Sequence, residues 1–249
     1  MGIDSDCDDR DDPILKFGPR DGSKLGPRVI FGHGVGGLDL YANTFIVEMV
    51  ERWSRDPRLA HVTFLLPTAP TRPFEMLGNK EVPAWFGCAQ DASIPSGWRV
   101  NYDHLNEAAE TYGNLVLSWG GTRCQTVYAG FSNGGATALY AGLTGCGREY
   151  AGILVMSSLL VAQDEVLECD NRDTTLPVLL CYGDEDPYLA DRDVASTLSF
   201  LAKHTACEVE TRAFKGMGHT CCEEEIAACA DWLARVFPVD DAAAASSAA

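Results

Sequence analysis

The chain has 249 residues, 46% of them hydrophobic, and carries a formal net charge of −17. That length suits one large α/β domain with a substantial core, and no apolar run is long enough to span a bilayer. So acidic a surface repels phosphate backbones and anionic lipid, which argues against nucleic-acid binding and leaves at most peripheral contact with a membrane.

Met1 to Arg10 is acidic and has no apolar centre, so it does not read as a secretory signal. Asp6 stands where an N-myristoylation signal needs Ser or Thr. The run Asp4, Asp6, Asp8, Asp9, Asp11 and Asp12 reads as a solvated arm, and Pro13 to Pro27 continues it as tail and loop. Arg28 to Gly32 is a short apolar run ending in glycine, a buried strand. His33-Gly34-Val35-Gly36-Gly37 is a glycine loop. In the next helix Tyr41, Phe45 and Met49, with Ile46, Val50 and Trp53, make one apolar stripe. His61 to Leu66 is a strand stopped by Pro67.

From Pro67 to about Gly97 the chain is rich in proline, glycine and aromatics and has no clean period. A stretch this long reads as a functional loop or lid. Asn101 to Trp119 is helical, with Leu105, Ala109, Tyr112, Leu115 and Trp119 on one face. Gln125 to Ala129 is a strand and Asn133 to Leu143 a helix. Two more buried strands follow, Ala151 to Ser157 and Pro177 to Tyr182, then a helix from Asp193 to Lys203. Cys207 to Phe214 alternates polar and apolar residues, as a strand nearer the sheet edge does. The last helix, about Cys222 to Val236, buries Ile226, Cys229, Leu233 and Val236. Three parts are expected: an acidic tail and loop over 1–27, one α/β domain over 28–238 and a low-complexity tail over 239–249. Strands alternating with helices predict a mostly parallel sheet with helices on both faces, its active site at the carboxyl ends of the strands.

Ten cysteines without a Cys-x-x-Cys pair, some inside apolar runs such as Cys181 and Cys229, read as buried free thiols. With no leader visible, a cytoplasmic location is expected. Cys221-Cys222 beside His219 lack zinc-site spacing, and neither metal nor cofactor is expected.

Gly130-Phe131-Ser132-Asn133-Gly134 is a Gly-x-Ser-x-Gly turn between a strand and a helix, which lifts a serine hydroxyl clear of the backbone. A serine needs a base and the base an orienting carboxylate, in the chain order Ser, acid, His on this architecture. His33, His61 and His104 precede Ser132, and His204 closes a helix. His219, in Gly216-Met217-Gly218-His219 directly after a strand, is the candidate base. Asp184, Glu185 and Asp186 follow the fifth buried strand, and Pro187 biases Asp186 towards an extended backbone. An oxyanion hole needs two converging N–H groups, here Asn133 and, from the glycine loop, Val35. Gly32, Gly34 and Gly37 also fit a dinucleotide-binding turn, but the acid that would hold a ribose is missing after Leu66. Ser157-Ser158, Cys88 and Cys124 have no such turn around them. Met76, Leu77, Val82, Trp85 and Phe86 either line an acyl groove or pack the long loop onto the domain.

The chain resembles the acyl-protein thioesterase and lysophospholipase/carboxylesterase family of small α/β-hydrolases. The resemblance rests on Val29 to Gly36, Pro67-Thr-Ala-Pro-Thr-Arg-Pro73, Pro83-Ala-Trp-Phe86, Gly130 to Ala136, Gly183-Asp-Glu-Asp-Pro187 and Gly216-Met-Gly-His219, and covers about Arg28 to Phe237. It implies a serine hydrolase with Ser132 as nucleophile, Asp186 as orienting acid, His219 as base, and Val35 and Asn133 as oxyanion donors. It implies S-palmitoylated proteins or lysophospholipids as substrates, with short-chain esters the runner-up. Asn133 stands where the family usually has Gln, Gly37 where it has Asp, and Gly87 where Asp follows the Trp-Phe pair.

Overall fold

The computed structural model of the chain describes residues 14–19, 26–39, 43–94, 97–118, 125–145, 150–169 and 175–239. The acidic run before Pro13, Tyr41, Trp119, Cys124 and the tail from Asp240 lie outside them. Among the described residues, one sheet has the strand order β1-β3-β2-β8-β9-β10-β11. Its members are β1 Ile14–Phe17, β2 Arg28–Gly32, β3 Thr63–Pro67, β8 Thr126–Phe131, β9 Gly152–Met156, β10 Pro177–Gly183 and β11 Glu208–Phe214. All neighbours pair parallel except β1, which runs antiparallel to β3 with Ile14 opposite Pro67.

The central strands read as unbroken apolar runs because both faces are covered. Successive side chains point to opposite faces. On β8, Val127, Ala129 and Phe131 therefore join the core under helices α1 (Thr44–Arg55) and α6 (Glu223–Val236), while Tyr128 joins the core under α2 (Tyr102–Ser118), α3 (Asn133–Thr144) and α5 (Asp191–His204). The predicted stripe of α1 buries Ile46, Met49, Val50 and Trp53. Burial of each aliphatic member contributes roughly 1.5–3 kcal/mol. That helix stops at Asp56, whose extended backbone is the one a residue before proline adopts. Glu223, Glu224 and Glu225 occupy the first turn of α6 and Arg235 its last, so the charges of Glu223, Glu224 and Arg235 each stand at the favoured end of the helix dipole.

Two expectations are corrected. Part of the stretch taken as tail and loop is β1, a short edge strand held by β3. The long aperiodic stretch folds into two small hairpins: β4 (Thr71–Phe74) with β5 (Lys80–Pro83), capped by a single 3-10 turn at Glu75–Leu77, and β6 (Cys88–Gln90) with β7 (Trp98–Val100). A short helix, α4 (Gln163–Glu168), follows β9. Among the described residues no helix is long and apolar enough to cross a membrane. The described cysteines are free thiols, with Cys181 and Cys229 fully buried, their sulfurs 4.0 Å apart.

Candidate active site

Ser132 sits between β8 and α3 at φ 54°, ψ −120°, a region that costs an L-residue on the order of 1–3 kcal/mol. The surroundings enforce it. A Cβ on Gly130 would lie 2.3 Å from the Gly134 carbonyl carbon, and one on Gly134 would lie 2.2 Å from the Gly32 oxygen. Helix α3 thus packs backbone to backbone against β2, and only glycine fits at these contacts. The turn is held further by hydrogen bonds from Ser132 N–H to the Met156 carbonyl (2.9 Å) and from Ser158 Oγ to the Ser132 carbonyl (2.7 Å). That contact gives Ser158 a bracing place beside the serine turn.

The loop after β11 brings His219 to this serine. Its Nε2 lies 2.9 Å from Ser132 Oγ, and its Nδ1 lies 2.7 Å from Asp186 Oδ2. The Asp186 carboxylate is fully buried, and its other oxygen accepts the Tyr188 N–H at 2.9 Å. With an acceptor at Nδ1, neutral His219 carries its proton there and turns a lone pair on Nε2 towards the serine hydroxyl. The ring is held between Phe131 and Tyr188, each with its centroid 4.8 Å away.

The two loops that supply the acid and the imidazole are joined. Glu185 N–H donates to the Met217 carbonyl at 3.1 Å, and a Cβ on Gly183 would lie 1.8 Å from that same oxygen. Asp184, the other candidate acid, accepts the Gly216 N–H at 2.6 Å and so braces the histidine loop instead of touching the ring. His33 and His61 are elsewhere, as are His104 and His204.

His33 is buried in the glycine loop. Its Nδ1 meets the Gly34 carbonyl at 2.6 Å, and its Nε2 accepts the Ala69 N–H at 2.9 Å. Asn43 adds three donor contacts from its amide to the carbonyls of Gly34 (3.2 Å), Val35 (3.0 Å) and Gly37 (2.8 Å). This residue precedes α1 but makes no side-chain cap there. Its signal in the sequence, an Asn before a helix, points to capping and conceals this reach back into the loop. Val35 and Asn133 face the same pocket as Ser132 and His219. Asn133 opens α3, so its N–H has no carbonyl a turn earlier within the helix.

That pocket encloses about 340 Å³ and is mostly apolar. Of the five residues expected either to line a groove or to pack the loop, Met76, Leu77 and Phe86 line this pocket. Val82 and Trp85 do not. Val82 packs with Phe74 and Ala84, and Trp85 is fully buried against Tyr112 and His33. The sequence reading missed Phe74, Trp98, Leu159, Val161, Tyr188 and Leu189, which complete the walls. Met76, Leu77 and Tyr188 are exposed at the rim. Cys88 also lines the pocket, but burial pushes its thiol up to about 12, so it stays protonated and is no rival nucleophile.

Glu225 is a second residue that the sequence did not single out. It is completely buried, and neither carboxyl oxygen has a hydrogen-bond partner among the described residues. Burial, then the neighbouring Asp186 charge, raise its pKa to about 8.

Comparison with known proteins gives a consistent picture. The family described as phospholipase/carboxylesterase matches residues 21–237. Acyl-protein thioesterase 1 of Neurospora crassa is 30% identical over 221 residues, covering 84% of this chain and 86% of that protein. Acyl-protein thioesterase 1 of Gibberella zeae is 32% identical over 221 residues, with coverages of 84% and 90%. Among solved structures, Zea mays acyl-protein thioesterase 2 superposes with a TM-score of 0.72 at 20% identity, covering 91% of this chain and 99% of that one. Esterase PE8 does so at 0.66 and 22%, covering 90% and 98%. These likenesses identify the architecture as the α/β-hydrolase fold.

Proposed function

The chain is a serine hydrolase of the phospholipase/carboxylesterase family, and from that premise we propose that it cleaves acyl thioesters, and secondarily esters, through Ser132, His219 and Asp186. One observation carries the reading: a serine Oγ 2.9 Å from an imidazole whose far nitrogen is 2.7 Å from a buried carboxylate, at the floor of an apolar pocket.

His219 Nε2 takes the hydroxyl proton as Ser132 Oγ attacks the acyl carbonyl. Asp186 steadies the imidazolium that forms. The carbonyl oxygen becomes an oxyanion, met by the N–H groups of Val35 and Asn133. The carbon–sulfur or carbon–oxygen bond then breaks, and His219 returns the proton to the departing thiol or alcohol. Water, deprotonated by the same imidazole, attacks the acyl-Ser132 ester and releases the acid. The acyl chain lies against Phe74, Phe86 and Leu159, and the leaving group exits past Met76, Leu77 and Tyr188. An acylated protein or a lysophospholipid presents such an acyl group with a large polar remainder outside the rim. The names of the acyl-protein thioesterase relatives support the first of these.

Labelling with a fluorophosphonate probe tests the nucleophile. Wild type is expected to label at Ser132 and Ser132→Ala not at all; an unlabelled wild type removes the reading. A panel of long-chain acyl thioesters, lysophospholipids and short esters tests the substrate class. A preference for short esters would leave the chemistry standing and replace the thioesterase assignment with a short-chain carboxylesterase.

A further inference from the structure

The residue that follows the nucleophile has a side chain as well as an N–H. Asn133 is buried, and both ends of its amide are engaged by one short strap of chain. Its Oδ1 accepts the backbone N–H of Trp85 at 2.7 Å and that of Phe86 at 3.4 Å, and its Nδ2 donates to the Phe86 carbonyl at 3.1 Å. The same strap is fastened to the other side of the site. Trp85 Nε1 donates to the His33 carbonyl at 3.0 Å, and Gly36 N–H donates to the Pro83 carbonyl at 2.8 Å. Residues 83–86 therefore bridge the glycine loop and the nucleophile turn. Phe86 itself forms part of the acyl pocket wall.

We propose that the Asn133 side chain is a positioning and specificity-determining residue, which clamps the Pro83–Phe86 strap so that an acyl chain seated against Phe86 is registered with the Ser132 turn. The proposal rests on the reading of Ser132 as nucleophile and goes beyond it. The backbone N–H of Asn133 serves every acyl group alike. The amide, by contrast, serves an acyl group in proportion to the chain it lays against Phe86.

The chemistry of the clamp is specific. It needs an acceptor and a donor on one planar group, because the strap offers two N–H groups and one carbonyl. An alanine leaves all three without the amide, in a region closed to solvent. An aspartate of the same size keeps the acceptor but turns an anion towards the Phe86 carbonyl. Either change should let the strap move away from the pocket floor. Acetyl groups, which offer the least chain to seat against Phe86, should feel this least.

The test compares octanoyl and acetyl thioesters of one small thiol in wild type, Asn133→Ala and Asn133→Asp. The octanoyl-to-acetyl ratio of kcat/KM should fall about tenfold in both variants, the scale set by losing one buried polar interaction. In a Phe86→Ala background the same substitutions should no longer change the ratio, because coupled residues are non-additive. A role limited to folding would lower both substrates equally. An unchanged ratio in the aspartate variant, which preserves volume, overturns the proposal, as does an undiminished effect without Phe86. Fluorophosphonate labelling of wild type separates the two readings. A labelled wild type with an unmoved ratio removes the clamp alone, and an unlabelled wild type removes both.

Discussion

Nε2 of His33 accepts the backbone N–H of Ala69, and that contact fixes the ring as neutral with its proton on the Nδ1 that faces the Gly34 carbonyl. Desolvation by burial lowers its pKa below the usual imidazole value of 6.5. A histidine whose folded pKa is depressed contributes stability that is present above the unfolded value and is lost as pH falls through the folded one. His33→Gln cannot take up that proton. Its melting temperature should drop less between pH 7.5 and pH 5 than that of wild type. Equal drops, measured by calorimetry, would show that His33 does not couple the glycine loop to acid.

Glu225 predicts the opposite window. Its folded pKa of about 8 stands above the ordinary 4.5, so the folded state holds its proton more tightly than the unfolded chain does. Stability from this group is complete below about pH 4.5 and declines as pH rises towards 8. At ~1.4 kcal/mol per pH unit, the full window is worth at most about 5 kcal/mol. Glu225→Gln should therefore gain on wild type progressively from pH 5 to pH 8 in urea denaturation, with a constant gap above that. A gap that does not vary with pH would mean that the carboxyl is already ionised in the folded protein.

The acids after β10 should rank clearly. Asp186→Asn presents an amide where His219 needs an acceptor and should lower kcat by roughly 10³- to 10⁴-fold. Among the described residues Asp184 accepts only the Gly216 N–H, on an exposed turn. Asp184→Asn keeps an acceptor oxygen and should retain kcat within about threefold, the scale of one weakened exposed hydrogen bond. The reverse ranking would move the orienting role to Asp184.

Glycines give a stability contrast of both signs. A Cβ on Gly134 meets backbone atoms of Gly32 and His33 at 2.2–2.7 Å. Gly134→Ala should cost roughly 3 kcal/mol or more, since neither the strand nor the helix can yield. Gly113 lies within α2 with nothing within 4 Å of its added Cβ. Gly113→Ala should stabilise by roughly 0.5–1 kcal/mol through the unfolded chain and helix propensity. Denaturation midpoints read both, and a neutral Gly134→Ala would contradict the close helix–strand packing.

The three residues proposed as the triad, which the fold brings within hydrogen-bond reach, were legible because each is announced locally: glycines on both sides of Ser132, a proline after Asp186, glycines before His219. The buried strands were legible because double burial leaves continuous apolar runs. What escaped depends on distant partners. Residues 14–17 are partly exposed and make a strand only because β3 offers an open edge. The hairpins of residues 71–100 are short and rich in proline, so no period emerges. Asn133 and Trp85 are 48 positions apart, and the fold alone brings that amide to that N–H. Glu225 is one of three acids in a row at a helix start, and only the fold distinguishes it by burying it.

The pocket has two origins. Ser132, Asn133, Ser157, Ser158 and His219 come from the ends of the central sheet, whereas Phe74, Met76, Leu77, Cys88 and Trp98 come from hairpins that share no ladder with it. The turn that carries Ser132 and Asn133 in the first group is held by Gly130, Gly134 and Gly135, at each of which an added Cβ would meet backbone within 3.0 Å. The second lies outside that backbone packing, with Met76 and Leu77 exposed at the rim. A descendant of this chain can therefore change its diet without relearning its chemistry: mutations spread over residues 74–77 should alter which acyl groups are admitted, while side chains added at Gly130, Gly134 or Gly135 should mostly yield proteins that never fold.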